Sequence, residues 1–302
     1  MAIWVCGEAL IDKISSGGAV REIPGGGPAN TAHALARLAL KNEFIGGLST
    51  DRYGQMMREE FIAAGVGLQF TPSHELPTCI ADVTIAADGS ATYTFIIDGT
   101  ATFAYDEKHL PRIDLALSKN EVDAIYFGTL ATIVEPGASV LFEWMKKAAR
   151  KVPIIFDPNI RPSVLSDREK YQSAVARFLQ ISNVVKASSD DIGWLYPDLH
   201  EFAVAKSWLE HGVKLVVITR GENGLVGITN EHVVEVPGIA VDVVDTVGAG
   251  DTVGAILAEG IVTYGFERAL DAELSHILQR AVHASAITCS RQGAQPPDRN
   301  EL

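Results

Sequence analysis

The sequence predicts an α/β protein: a mostly parallel central sheet with helices on both faces, plus a small β-sheet lid. Three observations carry this expectation. Short apolar runs alternate with longer stretches of helical period along the 302 residues. A β-α-β-α order needs crossover helices, and these cover a parallel sheet on both sides. One segment breaks the alternation and reads as a hairpin. Hydrophobic residues make up 47% of the chain and charged residues 21%, which suits one large buried core.

The elements follow in order. Ile3–Cys6 is a short apolar strand, and Ala29–Leu40 is a helix with Ala32, Leu35, Ala36 and Ala39 on one face. Thr78–Ala86 and Ala91–Ile97 are strand-like and join around Asp88-Gly89, a hairpin turn signal. Tyr93, Phe95 and Ile97 share a face of the second strand by period two. With Ser15–Ile23 they form a small sheet, so that about 13–24 and 75–105 make the lid; an ordinary sheet extension fits the same periodicity. Ala124–Phe127, Ile154–Phe156, Asn183–Val185 and Leu215–Ile218 are further strands. Pro136–Arg150, Arg168–Leu179 and Glu201–His211 are the helices between and after them. No repeat, low-complexity tract or linker divides the chain, so residues 1–302 are expected to form a single domain. Ligands of such sheets gather beyond the carboxyl ends of the strands. Glu8 and Asp12, Asp157 and Asn159, and Lys186 fall there.

Composition excludes several functions. The net charge of -13 repels phosphate backbones and anionic lipid, so neither nucleic acid nor membrane is an expected partner. No signal peptide and no membrane span are read from the sequence. Cys6, Cys79 and Cys289 form neither a C-x-x-C pair nor a zinc spacing; they read as reduced, buried thiols of a cytoplasmic protein. The Walker-type phosphate loop, the dinucleotide fingerprint after the first strand, H-E-x-x-H and G-x-S-x-G are all missing.

Two glycine motifs carry chemistry. Gly25-Gly26-Gly27-Pro28-Ala29-Asn30 opens a helix. Glycines let a ligand approach the backbone, and Asn30 both donates and accepts, as a sugar hydroxyl requires. A tight turn before a helix explains this motif equally well. Asp245-Thr246-Val247-Gly248-Ala249-Gly250-Asp251 precedes the apolar pattern Val253, Ile256, Leu257, Ile261. Small residues at a helix N-terminus expose consecutive N–H groups, which bind anionic oxygens. The helix dipole favours the ionised form of Asp251, which can then take a proton from an attacking hydroxyl. A simple N-cap explains one Asp, but not the run of small residues.

Together these motifs resemble the ribokinase-like (PfkB) carbohydrate kinases, over essentially the whole chain. Gly47-Leu48-Ser49-Thr50-Asp51-Arg52-Tyr53-Gly54 and Thr219-Arg220-Gly221-Glu222-Asn223-Gly224 extend the likeness. Within the family the sequence is most similar to the bacterial fructokinases, through Gly7-Glu8-Ala9-Leu10-Ile11-Asp12, Asp157-Pro158-Asn159-Ile160-Arg161-Pro162, Pro77-Thr78 and Asp98-Gly99-Thr100-Ala101. The resemblance implies a three-layer ribokinase-like fold and transfer of the ATP γ-phosphate to a primary hydroxyl of a sugar, with fructose as acceptor. Kinases of 2-keto-3-deoxygluconate, ribose or a riboside stay open as alternatives, as does a sugar-binding relative without turnover. It implies Asp251 as base beside Gly248, Ala249 and Gly250, and sugar contacts from Asp12, Gly26, Gly27, Asn30, Phe95 and Arg161. It implies nucleotide contacts from Lys186, Thr219, Gly221, Gly224, Gly248 and Gly250. Asp191 stands where the family places a Glu that organises Mg²⁺ through water; Asp is one methylene shorter. Asp245 and Val247, with Thr288, Arg291 and Gly293, are similar to the family's monovalent-cation site. Pro297 replaces a serine ligand of some relatives, which leaves K⁺ activation open. Val253 replaces a common Phe, a matter of helix packing. Family lids often pair, so a homodimer through the lid is a further implication.

Overall fold

A computed structural model describes residues 2–16, 19–85 and 91–302, with the backbone alone at 16, 84, 85 and 91–93. The Asp88-Gly89 turn and the side chain of Tyr93 lie outside the described residues. The first half of the chain contains β1 (Ile3–Cys6), β2 (Leu10–Ser16), β3 (Ala19–Gly25), α1 (Gly27–Arg37), β4 (Asn42–Ile45), β5 (Leu48–Ser49) and α2 (Arg52–Ala64). β6 (Ser73–His74), β7 (Ile80–Ile85), β8 (Ala91–Ile96), α3 (Ile113–Ser118), β9 (Ala124–Gly128) and α4 (Gly137–Lys146) follow. Then come β10 (Ile154–Asp157), α5 (Arg168–Leu179), β11 (Val184–Ser188), α6 (Ser189–Leu195), α7 (Glu201–Glu210) and β12 (Leu215–Thr219). The chain finishes with β13 (Leu225–Ile228), β14 (Val233–Val236), α8 (Ala249–Tyr264), α9 (Phe266–Leu270) and α10 (Leu274–Cys289).

Eight strands form the main sheet in the order β14-β13-β12-β11-β10-β9-β1-β4, parallel from β12 to β4 and antiparallel at β13 and β14. Period two sorts its side chains into two apolar clusters. Trp4, Cys6, Ile125, Phe127, Phe156 and Val185 pack against α3 to α7. Ile3, Val5, Tyr126, Ile155, Val184 and Val217 pack against α1, α2 and α8 to α10. Burying both faces explains why these strands read as unbroken apolar runs. Among the described residues, no helix is long and apolar enough to cross a membrane.

A second sheet, β3-β2-β7-β8, stands apart from the first. Ser15–Ile23 is expected to contribute to this sheet, and its described residues do. That stretch belongs to two antiparallel strands, β2 and β3, paired from Leu10↔Gly25 to Ser16↔Ala19. Asp12 is therefore a strand residue, not part of a turn after β1. The N-terminus of α2 ties this sheet down. Asp51 caps the helix through Tyr53 N and Gly54 N at 3.0 and 2.8 Å. The same carboxylate accepts from Thr78 N at 2.9 Å and Thr78 Oγ1 at 2.7 Å, just before β7. Arg52 and Tyr53 both hydrogen-bond Glu22 of β3.

Candidate active site

The first turn of α8 sits beyond the carboxyl ends of β9, β10 and β11. Gly248 caps it in the left-handed region (φ 80), where a side chain is strained and its Cβ would stand 2.6 Å from that of Ala294. Ala249 N–H reaches back to Thr246 O at 3.3 Å. The N–H groups of Gly250 and Asp251 have no hydrogen-bond partner among the described residues. These two donors and the helix dipole leave the turn able to receive an anion.

Asp251 is 7% exposed. Asn30 Nδ2 donates to its Oδ2 at 2.8 Å, bringing the two glycine motifs together across 221 residues. Burial raises its pKa to about 6, with Asp157 adding to the rise and Lys186, Asn30 and Arg161 opposing it. It is thus ionised at neutral pH, yet more basic than an ordinary Asp.

The other carboxylate oxygen faces a small polar hollow. A Cβ on Gly27 would lie 3.0 Å from Asn159 Nδ2, 3.0 Å from Thr129 Oγ1 and 3.2 Å from Asp251 Oδ1. Asn159 and Thr129 hydrogen-bond each other at 3.3 Å. Both adopt positive φ (38 and 55), at the ends of adjacent strands. Gly26 (φ 109) packs so closely on Glu8 that a Cβ would come 2.7 Å from its carbonyl oxygen. Asp12 approaches the same glycine run, its Oδ2 against Gly25. Burial lifts Asp12 to about 6 against the pull of Arg161. Arg161 Nη1 donates to the carbonyls of Ile160 and Asn159 at 3.0 and 3.3 Å, and its charge acts on Asp12, Glu8 and Asp251 alike. Register places Asp12, Ala81 and Phe95 in one row across β2, β7 and β8, hence on one face of the second sheet. Phe95 and Ile97 pack there on Leu10, Cys79, Phe103 and Leu130.

On the other side of Asp251 lies Lys186, 4% exposed, bound to Asp157 Oδ2 at 2.7 Å. A Cβ on Gly250 would come 3.0 Å from its Nζ. Burial pushes the Lys186 ammonium down, but Asp157, Asp251 and Asp191 outweigh it and hold its pKa above the ordinary value. Thr219 ends β12, and Gly221 (φ 56) follows with open space where a side chain would project. Gly224 closes that turn against Val236 to Gly238. Arg220 is anchored by Glu201, which also accepts from Ser189 Oγ at 2.7 Å.

Asp191 is spent differently. Its Oδ2 accepts from Ser188 N at 2.9 Å as half of a capping box, and its Oδ1 from Ile160 N at 2.8 Å. Asp245 accepts from Val247 N at 3.1 Å and Gly293 N at 2.9 Å, so the structure does bring it to the 288–293 loop. Arg291 pairs with Glu301, and Thr288 Oγ1 contacts Thr252 Oγ1 at 3.0 Å. Among the described residues, no cluster of three or more His, Cys, Asp or Glu side chains is arranged to hold a metal.

Sequence reasoning placed Glu8, Asp157 and Asn159 at the ligand-binding end of the sheet without giving them a role, and did not select Tyr126 or Thr129. Glu8 is 1% exposed, with Oε2 unpartnered and its pKa raised by burial to about 8. The signal for Glu8, Asp157 and Asn159 was their place beyond strand ends. Tyr126 gave none, standing in the apolar run Ala124–Phe127.

Residues 7–301 match the pfkB family carbohydrate kinases. A fructokinase of Rhizobium leguminosarum bv. trifolii is 36% identical over 258 residues, 84% of this chain and 77% of its own length. A fructokinase of Escherichia coli is 27% identical, covering 99% of this chain and 97% of its own. Among solved structures, the fructokinase of Xylella fastidiosa with bound ATP superposes with a TM-score of 0.87 at 25% identity, covering 100% of this chain and 94% of that one.

Proposed function

This chain belongs to the pfkB family of carbohydrate kinases, and from that premise we propose that it is an ATP-dependent fructokinase with Asp251 as its base. One observation carries the assignment. A buried carboxylate with its pKa raised to about 6 lies at the start of a helix whose Gly250 and Asp251 N–H groups are free to receive an anion.

In this mechanism a primary hydroxyl of the sugar rests over Gly27, against Asp251 Oδ1. Its oxygen attacks the γ-phosphorus, the bond from that phosphorus to the β–γ bridging oxygen breaks, and the hydroxyl proton passes to Asp251. Asn30 holds Oδ2 in place, so that Oδ1 is presented. The N–H groups of Gly250 and Asp251 and the Lys186 ammonium take up charge on the transferring phosphoryl group. Asp12 accepts hydrogen bonds from two further hydroxyls. Arg161 offsets the negative charge gathered around Glu8, Asp12 and Asp251. Thr219, Gly221 and Gly224 line the path of the nucleotide.

Both Asp191 oxygens already accept a backbone N–H, and each keeps a lone pair through which a water-mediated contact to Mg²⁺ would be made. Mg²⁺ would supply charge neutralisation between the phosphates. The Asp245–Gly293 contact supports a monovalent-cation site in that loop. The second sheet acts as the lid, with Phe95 over the sugar, closing to exclude water. Phe95 and Ile97 are occupied within their own chain, so a lid-to-lid homodimer would use the opposite face, which carries the Lys13–Asp82 pair.

The test is ADP release against fructose, 2-keto-3-deoxygluconate, ribose and aminoimidazole riboside. Fructose is expected to give the highest kcat/KM. Another acceptor in first place would reassign the sugar, and binding of sugar without acceptor-dependent ADP release would remove the enzyme.

A further inference from the structure

Three polar side chains interrupt the apolar face of the main sheet beneath α8: Tyr126 of β9, Asp157 of β10 and Lys186 of β11. They are 1%, 2% and 4% exposed. Asp157 Oδ2 accepts from both neighbours, from Lys186 Nζ at 2.7 Å and Tyr126 OH at 2.9 Å. Burial keeps the Tyr126 phenol protonated, well above its ordinary pKa, so it remains a donor. Above the trio, α8 places Gly250 and Gly254 one turn apart on the same face. A Cβ on Gly250 would stand 3.0 Å from Lys186 Nζ, and one on Gly254 would stand 2.5 Å from Tyr126 OH. Both ends of the trio therefore abut the turns that carry Asp251.

A buried ion pair is weak as a stabilising device, because desolvation cancels most of its attraction. Apolar side chains of similar volume would serve the packing as well. What the trio alone supplies is a charged ammonium at a fixed point beside Gly250. An unpaired lysine buried this deeply would drift toward its neutral form. Asp157 prevents that using one of the three ammonium donors, leaving two for anionic oxygens. Asp157 also has an unpartnered buried Oδ1, so Tyr126 and Lys186, both on Oδ2, account for every hydrogen bond this carboxylate makes among the described residues.

We propose that Asp157, braced by Tyr126, is a positioning residue of phosphoryl transfer: it keeps Lys186 charged and aimed at the first turn of α8. The proposal rests on the phosphate site assigned above to Gly250 and Asp251. The groups facing Lys186 are Asp157 on β10, Asp251 on α8 and Asp191 on α6, with Tyr126 reaching it through Asp157. Without Asp157, only Asp251 and Asp191 oppose the burial of Lys186, which should then lose its proton at a lower pH. Lys186 is charged below its pKa, so the alkaline limb of activity moves toward neutrality.

The experiment measures kcat/KM for ATP against pH, with melting temperature, in D157N, K186M, the D157N/K186M double variant and Y126F. D157N should lower kcat/KM by about 100-fold, the scale of removing one charge-stabilising donor, and shift the alkaline limb downward. In the K186M background the same change should cost less than about threefold, since Asp157 would have nothing left to hold. Y126F, which keeps the ion pair, should lose several-fold in kcat/KM through KM for ATP. An equal penalty for D157N with and without Lys186 would overturn the proposal, as would an unmoved alkaline limb. If D157N does not fold, wild-type constants in a folded Y126F would overturn it. D251N is assayed alongside. Normal turnover in D251N and K186M would defeat the kinase site itself and this proposal with it, whereas their loss beside normal D157N kinetics refutes the positioning role alone.

Discussion

Replacing Asp251 by Asn separates chemistry from stability, because the two should move in opposite directions. The amide has the same shape, and its oxygen can still accept from Asn30 Nδ2, now 2.8 Å from Oδ2. It cannot accept the hydroxyl proton, so kcat should fall by about 10²- to 10⁴-fold, the usual contribution of a positioned base. Stability is worked from the pKa. An acid whose pKa rises on folding holds its proton more tightly in the native state, so stability falls as pH climbs through the interval and the full penalty stands above it. That interval runs from 3.8 to about 6. At about 1.4 kcal/mol per pH unit, the ionised Asp251 costs about 3 kcal/mol at pH 7. The new amide N–H₂, left without a partner, takes back about 1 kcal/mol. The remaining gain of about 2 kcal/mol should raise Tm by about 3 °C in a chain of this size. Steady-state kinetics and calorimetry at pH 7 read both quantities, and the gain in Tm should vanish below about pH 4. Unchanged turnover would refute the role of base, and a fall in Tm would show that Asp251 is chiefly a structural cap.

Two other outcomes follow from the same geometry. Asp12 and Asp251 both have pKa values near 6, and each must be ionised to serve a sugar hydroxyl; below that pH, log kcat/KM for sugar should therefore fall with a slope approaching two, and D12N should reduce the slope to one. A slope of one in the unmodified enzyme would remove one of the two carboxylates from the scheme. Gly27→Ala introduces no left-handed strain but sets a methyl group 3.0 Å from Asn159 Nδ2 and Thr129 Oγ1, so KM for sugar should rise about 10- to 100-fold, the value of one or two displaced polar contacts, with KM for ATP unchanged. An effect on both KM values would mean that the hollow is not specific to sugar.

The parallel strands were legible because burial on both faces writes continuous apolar runs. Ile3–Cys6 and Arg168–Leu179 form with the expected boundaries. The β2–β3 hairpin was not legible as two strands. Lys13, Ser15, Arg21 and Glu22 carry no apolar alternation; along Ala19–Arg21 of β3 successive residues are exposed on both faces, so no buried face writes a period of two there. The Gly17-Gly18 pair between the strands was the available turn signal. In the site, the glycine motifs announced a ligand because small residues at a helix start have few other uses. The partnership of Asp157 with Lys186 was hidden, since it depends on which strands become neighbours, and 29 residues separate the two. Gly254 falls within an otherwise apolar helix, and its need for space appears only with Tyr126 beneath it.

The grip of Asp51 has a mechanical outcome. Two of its hydrogen bonds pin Thr78 to the first turn of α2, while Arg52 and Tyr53 pin Glu22 at the far edge of the same small sheet. The sheet is therefore riveted at two corners to one helix. Any swing that leaves α2 behind must shear both rivets, whereas a swing that carries α2 along shears neither and drags Met57 and Phe61 across the core they are packed in.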